Sequence, residues 1–108
     1  MVATQDALKI ELHVTADRAI VRLLGEAHMF TVWQLERELH RVAVAQPRQV
    51  ILDLEDLTFI SSLAVGALVK FRHALVRTGG TAAIVGATGP VADALTRLGL
   101  DKLFSVAA

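Results

Sequence analysis

Residues 50–71 read VILDLEDLTFISSLAVGALVKF, and they decide the fold. The stretch opens with an almost entirely apolar run, Val50–Leu54, which is typical of a central strand covered on one face or both. A short acidic and polar link follows and leads to the serine pair Ser61 and Ser62. Apolar residues then recur at helical spacing to about Arg77, so we expect a buried strand followed closely by a helix.

The serine pair lies at the predicted N-terminus of that helix, where backbone N–H groups lack partners and the helix dipole favours negative charge. Two interpretations stay open for Ser61 and Ser62. Serine is a preferred N-cap, and one of them can do no more than accept a hydrogen bond from an unpaired N–H. Alternatively one serine is a phosphoacceptor, because a helix N-terminus tolerates the charge of a phosphate.

Upstream of this stretch, two β-rich segments predict an antiparallel hairpin. Leu8–Val14 alternates apolar and polar residues, which is the period of a half-buried strand. Arg18–Leu24 is a second such run, and the turn of residues 15–17 is short enough to join the two as a hairpin. Gly25 and Glu26 are expected to end the second strand.

The remaining segments predict two more helices and one more strand. Apolar residues three and four apart indicate a first helix that begins after the cap Thr31 and ends at about Ala45. Thr81–Gly86 is a buried strand, and Pro90 opens a short helix that ends at Gly99. The last apolar residues are expected to pack back on the domain: Leu100, Leu103, Phe104 and Val106.

The element order is therefore β-β-α-β-α-β-α in a single domain, residues 1–108. A strand–helix–strand unit implies a parallel pair with a right-handed crossover, and this unit occurs twice after the hairpin. We expect an α/β fold with a mixed sheet of about four strands and with the helices packed mainly on one face.

Composition argues against several classes of function. Eleven basic residues balance eleven acidic ones, so the chain offers no basic field for nucleic acid. The lack of cysteine rules out a thiol nucleophile, a disulfide and a cysteine zinc site.

The sequence also lacks segments typical of secreted or membrane proteins. Residues 1–12 lack a signal-peptide pattern. The longest apolar run, Leu63–Val69, is far shorter than the roughly 20 residues that span a bilayer. We expect a soluble cytoplasmic protein with no contact to membranes.

Catalytic and metal-binding patterns are weak. The chain has no GxxxxGK[ST] loop and no HExxH motif, and its serines do not lie in a GxSxG elbow. No nucleophile–base pair can be drawn from the sequence, so we expect neither an enzyme nor a cofactor. Glu36 and His40 lie four residues apart on the first helix, but such an exposed pair is more typical of a solvated face than of a metal site.

Residues 50–66 resemble the signature of the STAS domain found in bacterial anti-sigma factor antagonists, in which a strand leads to D-S-[ST]-G-L-G at the start of a helix. Residues 25–31 are similar to the family segment G-E-x-D-x-x-[ST]. Residues 79–80 match its G-G pair, and residues 98–104 are similar to its closing T-G-L-x-x-[IL]-[IF]. The resemblance covers almost the whole chain in order, and it implies the STAS fold.

That resemblance implies a binding module in a partner-switching circuit. The unphosphorylated protein would bind an anti-sigma factor that is also a serine kinase. The kinase would phosphorylate the serine that follows the motif Asp, here Ser62, and a phosphatase would reset it. A monomer or weak homodimer is expected. The partner-binding residues implied in this way are Glu26, His28, Thr31, Thr58, Ser61, Ser62, Leu63 and Ala64.

The sequence departs from the family pattern around the acceptor. Ser61 replaces the motif Asp, Leu63 a small Ser or Thr, Ala64 a Gly, and His28 the Asp of the earlier segment. Two carboxylates near the acceptor are therefore absent, and the helix start is more apolar. The alternative is a divergent STAS module without phosphoregulation. It would act as a scaffold, or as a sensing domain with a nucleotide or another small molecule near His28 and the serine pair.

Overall fold

The computed structural model describes residues 7–107. Residues 1–6, on which part of the signal-peptide prediction rests, and residue 108 lie outside the described residues. Residues 7–107 contain one six-stranded sheet, three α-helices and a 3-10 turn at Leu100–Lys102. The elements are β1 (Leu8–Val14), β2 (Arg18–Ala27), α1 (Val32–Val44), β3 (Gln49–Asp53), β4 (Leu57–Ile60), α2 (Ser62–Arg77), β5 (Thr81–Val85), α3 (Gly89–Arg97) and β6 (Ser105–Ala107).

The sheet is mixed, as predicted. β1 and β2 form the expected antiparallel hairpin. β2 pairs parallel with β3, and β3 pairs parallel with β5, which are the two strand–helix–strand units read from the sequence. The strand order is β1-β2-β3-β5-β6, and β4 pairs with the carboxyl-terminal part of β2.

The core lies between one face of the sheet and the helices α1 and α2. On β2, Val21 and Leu23 are fully buried, whereas Ile20 and Leu24 on the opposite face are only partly buried. The helices contribute the predicted stripes: Leu35, Leu39 and Val42 from α1, and Ala64, Leu68, Phe71 and Leu75 from α2. Each large apolar side chain buried in this way contributes roughly 1.5–3 kcal/mol, so this one face carries most of the packing energy.

The sheet has six strands rather than about four. β4 falls in the segment that the sequence suggested was only a polar link, and β6 falls in the apolar tail. β4 has just four residues and no strict alternation, because only Leu57 and Ile60 are buried. All three residues of β6 are exposed. Neither strand has a local pattern, and both exist because distant strands supply their hydrogen-bond partners.

The prediction that Gly25 ends β2 was wrong, since the strand continues to Ala27. Gly25 has a φ of 98°, and a Cβ there would overlap the carbonyl oxygen of Ala7. A glycine is needed at this position because it adopts positive φ without steric cost. The register between β2 and β4 shifts after Gly25, so the glycine forms a bulge and not a strand end.

Candidate functional site

Ser61 and Ser62 lie where β4 passes into α2, beside the carboxyl end of β2. The backbone N–H of Ser61 donates a hydrogen bond to the carbonyl oxygen of Ala27 at 2.8 Å, which holds this turn against β2. β2 and β4 are parallel, so their carboxyl ends lie at the same edge of the sheet. The fold therefore brings Glu26 and His28 to the edge that carries the serine pair.

Ser61 is the N-cap of α2. Its backbone is extended, with φ −88° and ψ 165°, and its Oγ accepts a hydrogen bond from the N–H of Ala64 at 3.2 Å. The Ser61 carbonyl accepts the N–H of Val65 at 2.9 Å and so begins the helical ladder. The capping interpretation therefore applies to Ser61, whose hydroxyl satisfies one of the unpaired donors of the first turn.

Ser62 is the first residue of α2 and is exposed. The first turn of this 16-residue helix contains no acidic side chain, so no carboxylate on that turn offsets the positive end of the helix dipole. A phosphate on Ser62 would lie at that end and would meet favourable backbone dipoles. The two serines are thus in different environments: Ser62 is exposed, whereas Ser61 is half-buried and its hydroxyl caps the helix.

Thr31 organises the loop between β2 and α1 from within the core, where its side chain is only 2% exposed. It occupies the predicted N-cap position, but its hydroxyl makes no capping bond to the helix. Instead, Oγ1 accepts the backbone N–H of His28 at 3.0 Å and donates to the carbonyl oxygen of Glu26 at 3.1 Å. The prediction of a side-chain cap was wrong, because the hydroxyl bridges the loop instead.

The side chain of His28 makes a further hydrogen bond within the same loop. Its Nδ1 accepts the backbone N–H of Phe30 at 3.2 Å. An accepting Nδ1 leaves the proton on Nε2, which lies 3.8 Å from Oε1 of Glu26. The imidazole also meets the Phe30 ring edge-on, with ring centroids 5.8 Å apart. His28 therefore holds Phe30 in place and orients itself towards the carboxylate of Glu26.

This loop and the first turn of α1 also expose large apolar side chains that were not predicted from the sequence. Met29 and Phe30 on the loop are 61% and 69% exposed, and Trp33 in the first turn of α1 is 58% exposed. We call these three residues together the aromatic loop. The Trp33 indole N–H donates to the Phe30 carbonyl at 3.1 Å. The guanidinium of Arg37 lies 5.0 Å from the Trp33 ring centroid, within cation–π range. The exposed rings are therefore fixed by contacts within the chain.

Two further apolar side chains are exposed at the same edge of the sheet. Phe59, on β4, is 46% exposed and pairs across the sheet with Glu26. Leu63, next to the acceptor serine, is 58% exposed. Exposed apolar side chains that occur together mark interaction sites more often than isolated ones do. A local signal existed for Trp33, which lies off the inner stripe of α1, but the grouping depends on tertiary structure.

The eight residues predicted to contact a partner differ widely in exposure. Four are exposed: Glu26, Thr58, Ser62 and Leu63. Two are half-buried: His28 and Ser61. Two are buried: Thr31 and Ala64. The hydroxyl of Thr58 donates to the Gly25 carbonyl at 3.0 Å, so this exposed residue also supports the bulge. The two buried residues present no surface and can affect binding only through the positions of the loop and helix start.

An ion pair ties the link before β4 to the sheet. The guanidinium of Arg22 on β2 pairs with the carboxylate of Asp56, and its other nitrogen lies 3.4 Å from Oε1 of Glu11. The carboxylate of Asp56 raises the pKa of Arg22 above its ordinary value, so the guanidinium remains charged. The Asp56 carbonyl also accepts the N–H of Gly25 at 3.0 Å, which places the start of β4 beside the bulge.

Glu36 and His40 lie on the surface of α1. The carboxylate of Glu36 lies 3.9 Å from the ammonium of Lys70 on α2. Within residues 7–107 no three His, Cys, Asp or Glu side chains are grouped so that they could hold a metal ion. In the same part of the chain, every helix is too short or too polar to cross a membrane.

The chain is similar to known proteins over nearly its full length. The family model of the STAS domain matches residues 9–108. An anti-sigma factor antagonist from Mycobacterium paratuberculosis is 25% identical, with a TM-score of 0.84 over 94% of this chain and 86% of that one. The Bacillus cell fate determinant SpoIIAA, in its phosphorylated form, is 21% identical, with a TM-score of 0.71 over 94% of this chain and 92% of its own.

The fold extends to other kinds of protein. A sulfate transporter family protein from Wolinella succinogenes is 17% identical, with a TM-score of 0.71 over 90% of this chain and 80% of that one. These structural neighbours share the sheet and helices described above. Together with the family match over residues 9–108, they show that the chain belongs to the STAS domain family.

Proposed function

We propose that this protein is an anti-sigma factor antagonist that binds an anti-sigma factor of the serine-kinase type and is released when Ser62 is phosphorylated. The observation that carries the proposal is an exposed serine at the first position of α2, beside an exposed apolar surface, in a STAS domain. The protein would then be a kinase substrate and binding module rather than an enzyme.

The docking surface of this proposal is formed by the exposed residues at the carboxyl edge of β2 and β4: Glu26, Met29, Phe30, Trp33, Thr58, Phe59, Ser62 and Leu63. Aromatic side chains supply much of the binding energy at protein interfaces, mainly where they are rigid and become fully desolvated. Trp33 and Phe30 fit this role, because the Trp33 indole donates a hydrogen bond to the Phe30 carbonyl and the Phe30 ring contacts the imidazole of His28.

Phosphorylation would change this surface by adding charge. A phosphate carries nearly two negative charges at neutral pH. In the free protein the charge is solvated and lies at the positive end of α2. In the complex it would have to be desolvated against Leu63 and the partner, which costs free energy without a compensating cation. Bound and free states therefore differ in how they accommodate the phosphate, and binding is lost.

The replacement of two family carboxylates is compatible with this switch. Ser61 serves as a neutral cap, and His28 accepts a backbone N–H through Nδ1, so neither position carries a carboxylate. Glu26 is then the acidic side chain of the docking surface. Against this lower background of negative charge, one phosphate makes a larger relative change in the local electrostatic potential.

SpoIIAA supports the proposal because it shares the fold and has been solved in unphosphorylated and phosphorylated forms. The test is incubation of the protein with ATP and each serine-kinase-type anti-sigma factor of the source genome, followed by intact mass. We expect a gain of one phosphate in the wild type and in Ser61→Ala, and none in Ser62→Ala. No gain with any of these kinases would contradict the proposal.

A second candidate function is a STAS scaffold without phosphoregulation. It is favoured by the exposed Leu63, which makes the docking surface apolar beside the acceptor. The likeness to a sulfate transporter family protein also shows this fold outside anti-sigma antagonists. A scaffold predicts that the partner binds wild type and Ser62→Asp with equal affinity. A nucleotide-sensing domain, in contrast, predicts a rise in Tm on addition of GTP or ATP.

A further inference from the structure

β1 is an edge strand, and its outer backbone is a surface that the docking site does not use. Two hydrogen bonds define which way its groups point: the Glu26 N–H donates to the Ala7 carbonyl at 2.6 Å, and the Thr15 N–H donates to the Arg18 carbonyl at 2.8 Å. Bonded and non-bonded pairs alternate along an antiparallel ladder. The backbone groups of Lys9, Glu11 and His13 therefore face β2, and those of Leu8, Ile10, Leu12 and Val14 face outward.

One end of this outer edge is already occupied. The side-chain amide of Gln34, on α1, donates to the carbonyl oxygen of Leu8 at 3.1 Å. Beyond it, the described part of the chain offers no other strand to Ile10, Leu12 and Val14. The remaining edge is therefore a three-residue ladder of outward N–H and C=O groups that ends at the β1–β2 turn.

The same edge exposes apolar side chains and lacks a proline or a bulge that would protect a free strand. Leu12 and Val14 are 38% and 59% exposed, and they line a cavity of about 150 Å³ together with Val42 and Pro47. Proteins generally protect such edges with prolines, bulges or charged side chains. β1 contains no proline, and its seven residues pair with β2 without a register shift. Its two charged side chains, Lys9 and Glu11, lie 3.5 Å from each other.

We propose that β1 pairs with β1 of a second copy of this chain, antiparallel about a two-fold axis at Leu12, so that two six-stranded sheets join into one. In this register Leu12 faces Leu12 of the second copy in a hydrogen-bonded pair, and Ile10 faces the second copy's Val14. Glu11 lies opposite the second copy's His13 in a close non-hydrogen-bonded pair, so a carboxylate meets an imidazole. The two-fold axis repeats this pair, so the contact occurs twice in the dimer.

The neighbouring registers are less complementary. A two-fold axis at Glu11 would place two glutamates opposite each other, and an axis at His13 would do the same with two histidines. An axis at Ile10 would pair Lys9 with the second copy's Glu11. It would also need the Leu8 carbonyl, which Gln34 already occupies. Leu12 is therefore the axis that uses unoccupied backbone groups and avoids like-charge pairs.

This contact lies away from the proposed docking surface. Leu12 and Val14 pair with Val21 and Ala19 at the start of β2, whereas the docking surface begins at Glu26 at its other end. A dimer would therefore present two docking surfaces, and its existence does not depend on the proposed function.

The first test uses two substitutions of opposite charge at one exposed position. Sedimentation velocity over a concentration series measures the dimer dissociation constant of wild type, His13→Lys and His13→Glu. We expect a wild-type dimer, an equal or tighter dimer for His13→Lys, and about tenfold weaker pairing for His13→Glu, because two glutamates then face each other in each of two symmetric pairs. A monomer at every concentration, or equal constants for the two variants, would overturn the proposal.

The second test locates the axis. The natural chain has no cysteine, so Leu12→Cys and Val14→Cys each carry a single thiol. The two Leu12 Cα atoms would lie about 5.5 Å apart. Val14 would face the second copy's Ile10, four residues away from that copy's Val14. The two Val14 Cα atoms would therefore lie roughly 13 Å apart. Dibromobimane should cross-link Leu12→Cys rapidly and Val14→Cys slowly, although Val14 is more exposed. Equal or faster cross-linking of Val14→Cys would exclude this register.

Discussion

The Oγ of Ser61 accepts the backbone N–H of Ala64 at 3.2 Å, and the next residue, Ser62, leaves its side chain exposed at the first position of α2. Two adjacent serines therefore lie in different environments. The hydroxyl of Ser61 caps the helix, and Ser62 is exposed. The same substitution at Ser61 and at Ser62 should therefore change stability and binding differently.

Ser61→Ala removes the cap, so we expect it to lower the free energy of unfolding by about 1 kcal/mol. Ser62→Ala removes no bond that the structure shows, and its effect should stay within about 0.5 kcal/mol. Urea unfolding of both variants beside the wild type checks the difference. A loss of equal size in both would mean that the hydroxyls share the capping role.

Ser62→Asp introduces a carboxylate at the positive end of α2, so we expect it to raise the free energy of unfolding by about 0.3–1 kcal/mol. The same charge should weaken binding of the anti-sigma factor, which titration calorimetry measures. Ser62→Asn is the neutral control of similar size, and it should leave affinity closer to that of the wild type. Weaker binding together with a clear loss of stability would point to misfolding instead of a charge effect.

Thr31→Val preserves shape but leaves the His28 N–H and the Glu26 carbonyl without the hydroxyl that joins them. We expect the free energy of unfolding to fall by about 1–3 kcal/mol, because these groups lie in the interior of the loop. Thr58→Val is the matched control at an exposed site, where water can replace the lost bond, and its cost should stay below about 0.5 kcal/mol. Comparable losses would contradict the bridging role of Thr31.

Gly25→Ala places a Cβ against the Ala7 carbonyl at positive φ, so we expect a loss of about 1–3 kcal/mol or more. Gly66→Ala lies within α2, where a Cβ would meet no atom within 4 Å. Since alanine is the better helix former, that variant should gain about 0.5–1 kcal/mol. Thermal unfolding should show a lower Tm than that of the wild type for Gly25→Ala and a higher Tm for Gly66→Ala. A Gly25→Ala variant as stable as the wild type would contradict the bulge geometry.

Trp33 is the single tryptophan of the chain and lies in the aromatic loop, so its fluorescence reports on docking. We expect a blue shift on addition of the anti-sigma factor. Trp33→Ala should weaken binding by at least about tenfold, as truncation of an aromatic anchor does. Val76→Ala, which truncates an exposed apolar side chain near the other end of α2, is the control. Unchanged affinity in Trp33→Ala would remove the aromatic loop from the interface.

The elements predicted most closely were those with a strong local pattern. The bounds of β1 and α2 agree with the sequence-based expectation, because period-two alternation and a helical stripe each arise from neighbouring residues. β4 and β6 were missed because short strands without alternation are defined by the strands beside them. Gly25 was misinterpreted because a glycine at a bulge has the same local appearance as a glycine at a strand end.

The sequence by itself determined the α/β class, the hairpin, the two strand–helix–strand units and the family, since these depend on patterns along the chain. The family resemblance also made Ser62 the acceptor candidate. It could not decide which of Ser61 and Ser62 caps the helix, because both are serines at a helix start. Only the tertiary structure, through the Ser61–Ala64 bond and the exposure of Ser62, assigned the cap. The aromatic loop and the free edge of β1 were likewise decided by folding, because side-chain exposure depends on which distant segments pack against a residue.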